Sequence, residues 1–360
     1  MTDNGHNKIV VAMSGGVDSS VAAAMLKNQG HEVIGISLQL WNYSWDTDHR
    51  FGTCCSLDDL ADARRVADRI GIPFYILNME EQFKEKVVDY FVGEYLEGRT
   101  PIPCTACNKK LKFDELMRRA EEYGYDYIAT GHYASIVQDA SGRYTVKRGE
   151  DRNKDQSYFL FDLSQEQLAR ILFPLGEIDK AEVRRLAGDL ELNVAGKAES
   201  HEICFIPDNN YAGFIEGYVE ETVFQPGDIV TREGEVLGTH RGYPGYTIGQ
   251  RKGLNLGGLS EPYYVTAIDP AQNRVVVGPK GDLFRDEFTV GDVTWSLDFC
   301  EPFEAEVQIR YRHQAVPGWV TPMPGGRASV ALEYPQPAIT PGQAAVFYRD
   351  DCIAGGGWIE

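Results

Sequence analysis

The chain has 360 residues and a formal net charge of −19, from 35 lysines and arginines against 54 aspartates and glutamates. With 43% hydrophobic and 25% charged residues it has the make-up of a folded chain of two or three domains, which excludes a disordered, a collagen-like or a small disulfide-stapled protein. No apolar run approaches the roughly 18 residues of a membrane-spanning helix, and the start, Met1 to Lys8, has no apolar signal region, so the expectation is a cytoplasmic protein with no membrane partner.

The first half alternates strand and helix signals. Ile9 to Met13 reads as a buried strand, Val17 to about Gln29 as a helix ended by Gly30, and Val33 to Leu38 as a second strand. Leu60, Ala63, Ala67 and Ile70 have helical spacing, Phe74 to Leu77 is a third strand, Phe83 to Tyr95 and Leu111 to Tyr123 are helical, and Tyr127 to Thr130 is a fourth strand. Repeated β-α units of this kind give a parallel sheet with helices on both faces. Between Gly98 and Lys109 the pattern breaks, and Pro101 and Pro103 forbid a continuous helix. A hairpin is expected around Ser141-Gly142. Ser164 to Gln167 matches a capping box and Asp179 to Glu182 resembles one, each followed by a short helix. The first domain is expected to span residues 1–215.

Beyond about residue 220 Gly, Pro and β-branched residues dominate, and Pro226-Gly227-Asp228 and Arg232 to Glu235 read as turns. Residues 216–280 form a small central β-rich domain on this reading. Residues 281–360, with a strand candidate about every ten residues, form a C-terminal β-barrel or sandwich.

The strongest local signal is the turn Ser14-Gly15-Gly16-Val17-Asp18-Ser19-Ser20 between the first strand and the first helix. It is neither a Walker A loop nor a dinucleotide fingerprint. Its logic is similar: glycines admit a phosphate close to the backbone, amides at a helix start point at the anion, and serine hydroxyls add donors. Asp18 is a candidate Mg²⁺ ligand. On these residues the chain resembles the PP-loop, or ATP-pyrophosphatase, superfamily, whose members cleave ATP between the α and β phosphates and adenylate an oxygen of a second substrate. That resemblance implies ATP as cosubstrate, bound by Ala12, Met13, Ser14, Gly15, Gly16, Val17, Asp18 and Ser19.

Seven cysteines, an odd number in a long chain, point to reduced thiols rather than a disulfide framework. Cys104-Thr105-Ala106-Cys107, expected on a proline-rich loop, reads as a metal half-site, a redox pair, or a nucleophile with a neighbour. Cys204, among apolar residues, reads alone as a buried inert thiol. Cys54-Cys55 reads as structural or as part of a loop near ATP, and Cys300 and Cys352 as packed or surface thiols. In combination the pattern is specific. Met13 to Ser20, Cys54-Cys55-Ser56, Arg99-Thr100-Pro101, Cys107-Asn108-Lys109, Thr130 to Tyr133, Lys154 to Tyr158, Ser200 to Ile206, Gly245 to Arg251 and Pro341-Gly342-Gln343, in this order, resemble the tRNA-specific 2-thiouridylase family over essentially the whole chain.

The resemblance implies an adenine nucleotide α-hydrolase-like first domain and a tRNA-uridine 2-sulfurtransferase acting on the wobble uridine of tRNAs for Lys, Glu and Gln. ATP adenylates the C2 oxygen, sulfur attacks C2, and AMP leaves. It further implies Cys204 as the persulfide carrier, charged by a sulfur-relay donor protein, and Cys107 as the nucleophile that closes a disulfide with Cys204. Thiolate chemistry needs nearby positive charge, for which Lys109 and Lys110 are candidates. Leu38 and Gly131 are implied to contact ATP. Ile102, Pro103, Cys104, His132, Lys154, Asp155, Gln156, Arg310, Tyr311 and Gln343 are implied to contact tRNA. A monomer is implied as well.

One departure stands out. A common family form has Asn-Pro-Asp where this chain has Ile102-Pro103-Cys104, so Cys104, Cys107 and Cys204 could instead ligate an iron–sulfur cluster with one open iron, or zinc. The persulfide route is the expected one. The rivals by class are a small-molecule PP-loop synthetase and a non-enzymatic tRNA-binding or sulfur-storage protein.

Charge is unevenly placed. Arg99 to Arg119 holds six basic and two acidic residues; His240 to Lys252 holds Arg241, Arg251 and Lys252 and no acid; Arg310 and Arg312 flank Tyr311. These runs, one in each expected domain, read as a basic face on an acidic protein, with Tyr311 placed to stack on a base.

Overall fold

The computed structural model describes residues 6–41, 56–197, 203–206, 208–220, 223–297 and 299–360. Cys54, Cys55 and residues 200–202 of the motifs above lie outside them. The chain divides into two compact units that interleave along the sequence: Met1–Val87, Cys104–Asp208 and Asp350–Ile353 form the first, and Val88–Pro103, Asn209–Arg349 and Ala354–Glu360 the second.

The first unit is built on a parallel sheet. In chain order its elements are β1 (Lys8–Ala12), α1 (Val17–Asn28), β2 (Glu32–Gln39), α2 (Leu57–Ile70), β3 (Phe74–Asn78) and α3 (Glu80–Phe83), with a π-helical turn at Lys84–Val88 leading to α4 (Asp89–Leu96), which belongs to the second unit. Then follow α5 (Pro103–Cys107), a π-helical stretch at Asn108–Phe113, α6 (Asp114–Glu122), β4 (Tyr127–Ala129), the hairpin β5 (Ala134–Gln138) and β6 (Tyr144–Arg148), α7 (Gln165–Leu168), β7 (Ile171–Leu172) and α8 (Lys180–Asp189). The sheet order is β3-β2-β1-β4-β7, and every pairing is parallel.

Side-chain alternation explains the layers. Ile9 and Val11 of β1 join a core with Val21, Ala22 and Leu26 of α1, Ala63 and Val66 of α2, and Val183 and Ala187 of α8. Val10, fully buried, lies outside that cluster, as a strand residue facing the opposite side must. Each such buried aliphatic contributes about 1.5–3 kcal/mol. Eight of the twelve α1 residues are buried, so this helix is held by packing on most of its circumference rather than by an amphipathic stripe.

The caps behave as the residues dictate. Ser164 Oγ accepts from Gln167 N–H at 3.2 Å while Gln167 Oε1 accepts from Ser164 N–H at 2.8 Å, the full capping box. Asp179 accepts from Glu182 N–H at 2.7 Å. Ser56 and Asp59 form a further box at the start of α2 that the pattern reading passed over.

One local expectation is corrected. The segment around Pro103 is helical: α5 begins on Pro103, where the missing N–H is one that a helix leaves unpaired in any case. Cys104 and Cys107 therefore lie on one helical turn and not on a loop.

The second unit holds α4, α9 (Tyr211–Tyr218) and two β assemblies. Phe91 of α4 meets Phe214 of α9 edge-on at 6.3 Å, and Tyr95 stacks on Tyr211 at 5.1 Å. β8 (Gly227–Val230), β9 (Val236–His240), β10 (Tyr263–Asp269) and β11 (Arg274–Pro279) form a four-stranded sheet ordered β10-β11-β8-β9 around Ile229, Val265, Val275 and Val277. β12 (Phe284–Trp295), β13 (Phe303–Gln308), β14 (Val316–Met323), β15 (Arg327–Pro337), β16 (Ala344–Arg349) and β17 (Cys352–Ile359) follow, and the β12–β17 pairing closes them into a six-stranded barrel. In β13 Phe303, Ala305 and Val307 face in and Glu304 and Glu306 face out, the period of two that a barrel wall requires. The C-terminal part is thus a barrel and not a sandwich.

Candidate active site

Strand order reverses at β1, with β2 and β3 on one side and β4 and β7 on the other. Ligands of open parallel sheets bind outside the carboxyl ends of the strands at such a switch point. Two turns meet there: Met13 to Gly16 after β1, and Thr130 to His132 after β4.

The first turn is tightly tied to itself. Ser14 N–H donates to Ser19 Oγ at 3.1 Å, and the hydroxyls of Ser19 and Ser20 donate to the Gly16 carbonyl at 3.2 and 2.8 Å. Met13 N–H donates to Ile36 O at 2.8 Å. Ser14 is exposed, while Ser19 and Ser20 are buried, so Ser14 is the hydroxyl turned to solvent. Gly15 has φ +74°, and a Cβ there would stand 2.2 Å from the Asp59 carbonyl oxygen, so only glycine fits. No side chain caps α1 at Gly16, which leaves its first amides for an incoming anion. Leu38, on the neighbouring strand β2, is buried.

The second turn packs directly on the first. A Cβ on Gly131 would lie 2.6 Å from Ser19 N and 2.7 Å from the Asp18 carbonyl carbon. His132 Nδ1 lies 2.6 Å from Thr130 Oγ1, and its ring sits 6.1 Å from Phe113 and 5.8 Å from Phe173. Burial, aided by the charge of Lys112, pulls its pKa down to about 3. His132 is a neutral imidazole at physiological pH.

Two lysines that pattern reading missed complete the loop. Lys180 Nζ donates to both oxygens of Asp18, at 2.7 and 2.9 Å, and Tyr133 OH donates to Asp18 Oδ1 at 2.7 Å. Lys197 Nζ donates to the Gly15 carbonyl at 3.0 Å and to Asp59 and Asp62 at 2.6 Å each. Burial opposes its charge, but hydrogen bonds and charges from the two carboxylates hold its pKa above the ordinary lysine value. The signals were one-sided: Lys180 follows a recognised cap, yet 162 residues separate it from Asp18.

These contacts bear on the metal candidates. Asp18 is paired with the Lys180 ammonium, and among the described residues no group of three or more His, Cys, Asp or Glu could hold a metal ion on protein ligands alone. Cys104, Cys107 and Cys204 are among the residues covered by that statement. Magnesium carried on a nucleotide is a different case. It takes one or two carboxylates and completes its shell with phosphate oxygens and water, a demand that Asp18 fits.

Of the α5 thiols, Cys104 is exposed and Cys107 is buried. Asn108, also buried, anchors the following turn by donating to Phe159 O at 3.3 Å and accepting from Lys112 at 3.0 Å. Lys109, a candidate thiolate partner, is paired with Asp162 at 3.3 Å. Burial raises the Asp162 carboxyl pKa above the usual carboxylate range, with Lys109 opposing it. Lys110 is exposed. Cys204 is half-buried on a turn closed by Ile206 N–H to Ile203 O at 2.9 Å, and pinned by Phe205, which meets Phe83 edge-on at 5.6 Å.

The residues implied to touch tRNA fall into two groups. Asp155 accepts from Arg148, from the Gly149 and Ser157 amides and from the Ser157 hydroxyl, at 2.9–3.1 Å, and Gln156 Oε1 accepts from Tyr133 N–H at 3.0 Å. Both side chains organise their own loop, and Lys154 is half-buried beside them. In the second unit, Ile102 and Pro103 are buried, Gln343 Nε2 donates to Thr100 O at 2.9 Å, and Arg310 donates to Pro337 O at 3.2 Å. Tyr311 is half-buried.

The basic run from Arg99 to Arg119 is largely neutralised: Arg99 pairs with Glu94 and Glu97, Lys109 with Asp162, and Arg118 and Arg119 with Glu115 and Glu122. Arg241, Arg251 and Lys252 are exposed.

Comparison with known proteins shows what the chain is similar to. Residues 7–208 match the family described as tRNA methyl transferase HUP domain, residues 212–279 the tRNA methyl transferase PRC-barrel domain, and residues 285–359 the aminomethyltransferase beta-barrel domain. The chain is therefore a HUP-domain protein carrying a PRC-barrel-like domain and a C-terminal β-barrel. It is 53% identical over 365 residues to the tRNA-specific 2-thiouridylase MnmA of Geobacter metallireducens, covering 100% of this chain and 98% of the relative. It is 50% identical over 355 residues to that of Clostridium perfringens, covering 98% of each. It belongs to the tRNA-specific 2-thiouridylase family. Among solved structures, a 4-thiouridine synthetase–RNA complex with bound ATP is similar at 17% identity and a TM-score of 0.35, over 59% of this chain and 50% of that one.

Among the described residues no helix is long and apolar enough to cross a membrane.

Proposed function

We propose that the protein is an ATP-dependent tRNA-uridine 2-sulfurtransferase that thiolates the wobble uridine of tRNAs for Lys, Glu and Gln. The observation that carries the reading is full-length similarity to 2-thiouridylases in a chain whose glycine–serine loop and Gly131 turn pack together at the sheet's switch point.

The uridine C2 carbonyl is a poor electrophile. Its oxygen attacks the α-phosphate of ATP, the bond from that phosphorus to the bridging oxygen breaks, and pyrophosphate leaves with the electron pair. The adenylated oxygen is then a leaving group. The α1 amides and the exposed Ser14 hydroxyl receive the phosphates, and Leu38 lies beside the adenine. Magnesium carried on ATP would be held by Asp18 and would supply charge neutralisation.

Sulfur arrives as a persulfide on Cys204, delivered by a sulfur-relay donor protein. Its terminal sulfur attacks C2 and AMP departs. The Cys107 thiolate then attacks the Cys204 sulfur, forming the Cys107–Cys204 disulfide and leaving the transferred sulfur on C2. An external thiol reductant restores both thiols. The half-exposed Cys204 suits a donor that must reach it, and the buried Cys107 suits a group that acts only inside the closed complex. His132 supports this reading as a neutral hydrogen-bond partner for tRNA, while Lys154, Arg310 and Tyr311 supply further contacts. The protein works as a monomer.

The test is the dependence of ATP cleavage on the second substrate. Release of AMP and pyrophosphate that requires unmodified tRNA supports the reading. Cleavage that proceeds with a small metabolite and ignores tRNA would move the chain among the PP-loop synthetases.

A further inference from the structure

We propose that Lys197 is a positioning residue of the nucleotide site: by holding the Gly15 carbonyl it turns the Gly16 amide toward the phosphates of ATP. The proposal deepens the ATP-dependent reading above and rests on it.

The peptide unit is planar and trans, so a carbonyl oxygen and the N–H of the next residue point in opposite directions. Lys197 Nζ donates to the Gly15 carbonyl at 3.0 Å. The same bond therefore aims the Gly16 N–H away from Lys197. Gly16 is the N-cap of α1, and among the described residues no backbone acceptor meets its N–H. An anion at the start of α1 takes that amide together with those of the first turn.

This peptide needs a holder. Two adjacent residues without Cβ let the unit between them turn over at small steric cost. Turned over, it presents a carbonyl oxygen to the phosphates where a donor stood, and repulsion replaces attraction. Among the described residues, Lys197 is the only group bonded to the Gly15 carbonyl. The next peptide is already fixed, because the Gly16 carbonyl accepts from the hydroxyls of Ser19 and Ser20 and from the Ser20 N–H.

The holder is itself held. Asp59 Oδ1 and Asp62 Oδ2 each accept from Nζ at 2.6 Å, so with the Gly15 carbonyl all three ammonium protons are used. A lysine with no proton to spare orients the loop and leaves the phosphates to the amides. The other oxygen of Asp59 accepts from the Ser56 N–H and hydroxyl at 2.9 and 2.7 Å. That of Asp62 accepts from Asn193 at 2.7 Å and from Arg65 at 2.6 Å. Both carboxylates are thus anchored, and the ammonium has one place to sit. An ion pair needs only the carboxylates. The third bond, to a carbonyl of the phosphate loop, makes this latch part of the site.

Without the ammonium the peptide populates both orientations. ATP then binds with an affinity reduced by the fraction of loop that is competent, while saturating ATP draws the loop back to the competent state. The experiment compares wild type, Lys197→Met, Lys197→Arg and Val66→Ala, a cavity variant in the core beneath α2 that leaves every latch residue in place. The quantities read are ATP affinity without tRNA, KM for unmodified tRNA, kcat for pyrophosphate release, and the unfolding midpoint. Lys197→Met is expected to weaken ATP binding at least ~10-fold, the scale on which losing a hydrogen bond to a charged group shifts an equilibrium. KM for tRNA stays unchanged and kcat at saturating ATP is nearly retained. Lys197→Arg recovers part of the ATP affinity. Val66→Ala lowers the unfolding midpoint but binds ATP as wild type does. Wild-type ATP affinity in Lys197→Met would overturn the proposal. So would an equal loss in Val66→Ala, which would make the effect one of stability. Pyrophosphate release by wild type that needs no tRNA would sink the functional reading alone, since ATP affinity would still report on Lys197.

Discussion

A Cβ on Gly131 would stand 2.6 Å from the backbone nitrogen of Ser19, so the turn after β4 and the phosphate loop after β1 touch backbone to backbone. No flexible side chain is available to yield. Gly131→Ala must displace the start of α1, and it is expected to weaken ATP binding at least tenfold while costing about 1–3 kcal/mol of stability, the usual range for overpacking. Calorimetric titration with ATP, beside chemical denaturation, reads both. Unchanged ATP affinity would detach this turn from the nucleotide site.

Lys197 ties the Gly15 carbonyl to the first turns of α2. Lys197→Met leaves Asp59 and Asp62 facing each other, and because all three are partly exposed the expected loss is about 1–2 kcal/mol, below that of a fully buried pair. The pH dependence has a definite sign. Asp62 is held below the ordinary carboxylate value: its own burial raises it, but the hydrogen bonds and charges of Lys197 and Arg65 win. Its stabilisation is present above the unfolded pKa of about 3.9 and is lost as pH falls through the lower folded value. The Lys197 contribution is present below about 10.4 and is lost as pH rises through its raised value. The stability difference between wild type and variant should stay flat from pH 5 to 9. A difference that collapses inside that window would show that the latch is not electrostatic.

Burial holds the His132 imidazole neutral, with a pKa of about 3. Between that value and the unfolded value of about 6.5 the unfolded chain binds more protons, so stability rises with pH across that window and is complete above it. An NMR titration should show no protonation of His132 from pH 8 down to 5, and tRNA affinity should have no limb near 6.5 owing to this residue. An imidazole titrating near 6.5 would mean that the ring is hydrated and lies outside the Phe113–Phe173 contact.

Affinity for tRNA should fall steeply with salt, since phosphate contacts release counterions. The ion pairs at Arg99, Lys109, Arg118 and Arg119 narrow the source of that dependence. Arg251→Gln/Lys252→Gln is expected to flatten the log–log salt slope by about 2, near 1 per phosphate contact, while Arg118→Gln leaves it unchanged. The reverse ranking would relocate the RNA-binding face to α6.

The contrast between those two runs shows what the sequence made legible. Local features were readable because neighbours decide them: the β1 to α1 turn, the Ser164 capping box, the hairpin around Ser141-Gly142, and the in–out alternation of the barrel strands. The count along the chain could not show that the arginines of α6 are ion-paired with Glu115 and Glu122 one helical turn away. Pro103 misled for a similar reason. Proline breaks a helix interior but not its first position, and the pattern around Cys104 and Cys107 does not reveal which applies. Lys180 and Lys197 were out of reach altogether, since their partners lie 162 and 135–182 residues away and only the parallel sheet brings them together. The resemblance names the thiols and the loop as the candidate site. It did not show that Asp155 and Gln156 hold their own loop together.

The central claim is that ATP activates a tRNA uridine and that protein thiols deliver the sulfur. It is tested most directly by purifying the protein without oxygen, quantifying iron, sulfide and zinc, and then supplying ATP, unmodified tRNA and a persulfide donor. The account predicts that metal-free protein forms 2-thiouridine with one AMP released per uridine, and that Cys204→Ser loses thiolation while binding tRNA nearly as tightly. Activity that appears only with a stoichiometric iron–sulfur cluster would contradict it, and would make Cys104, Cys107 and Cys204 ligands of iron rather than carriers of sulfur.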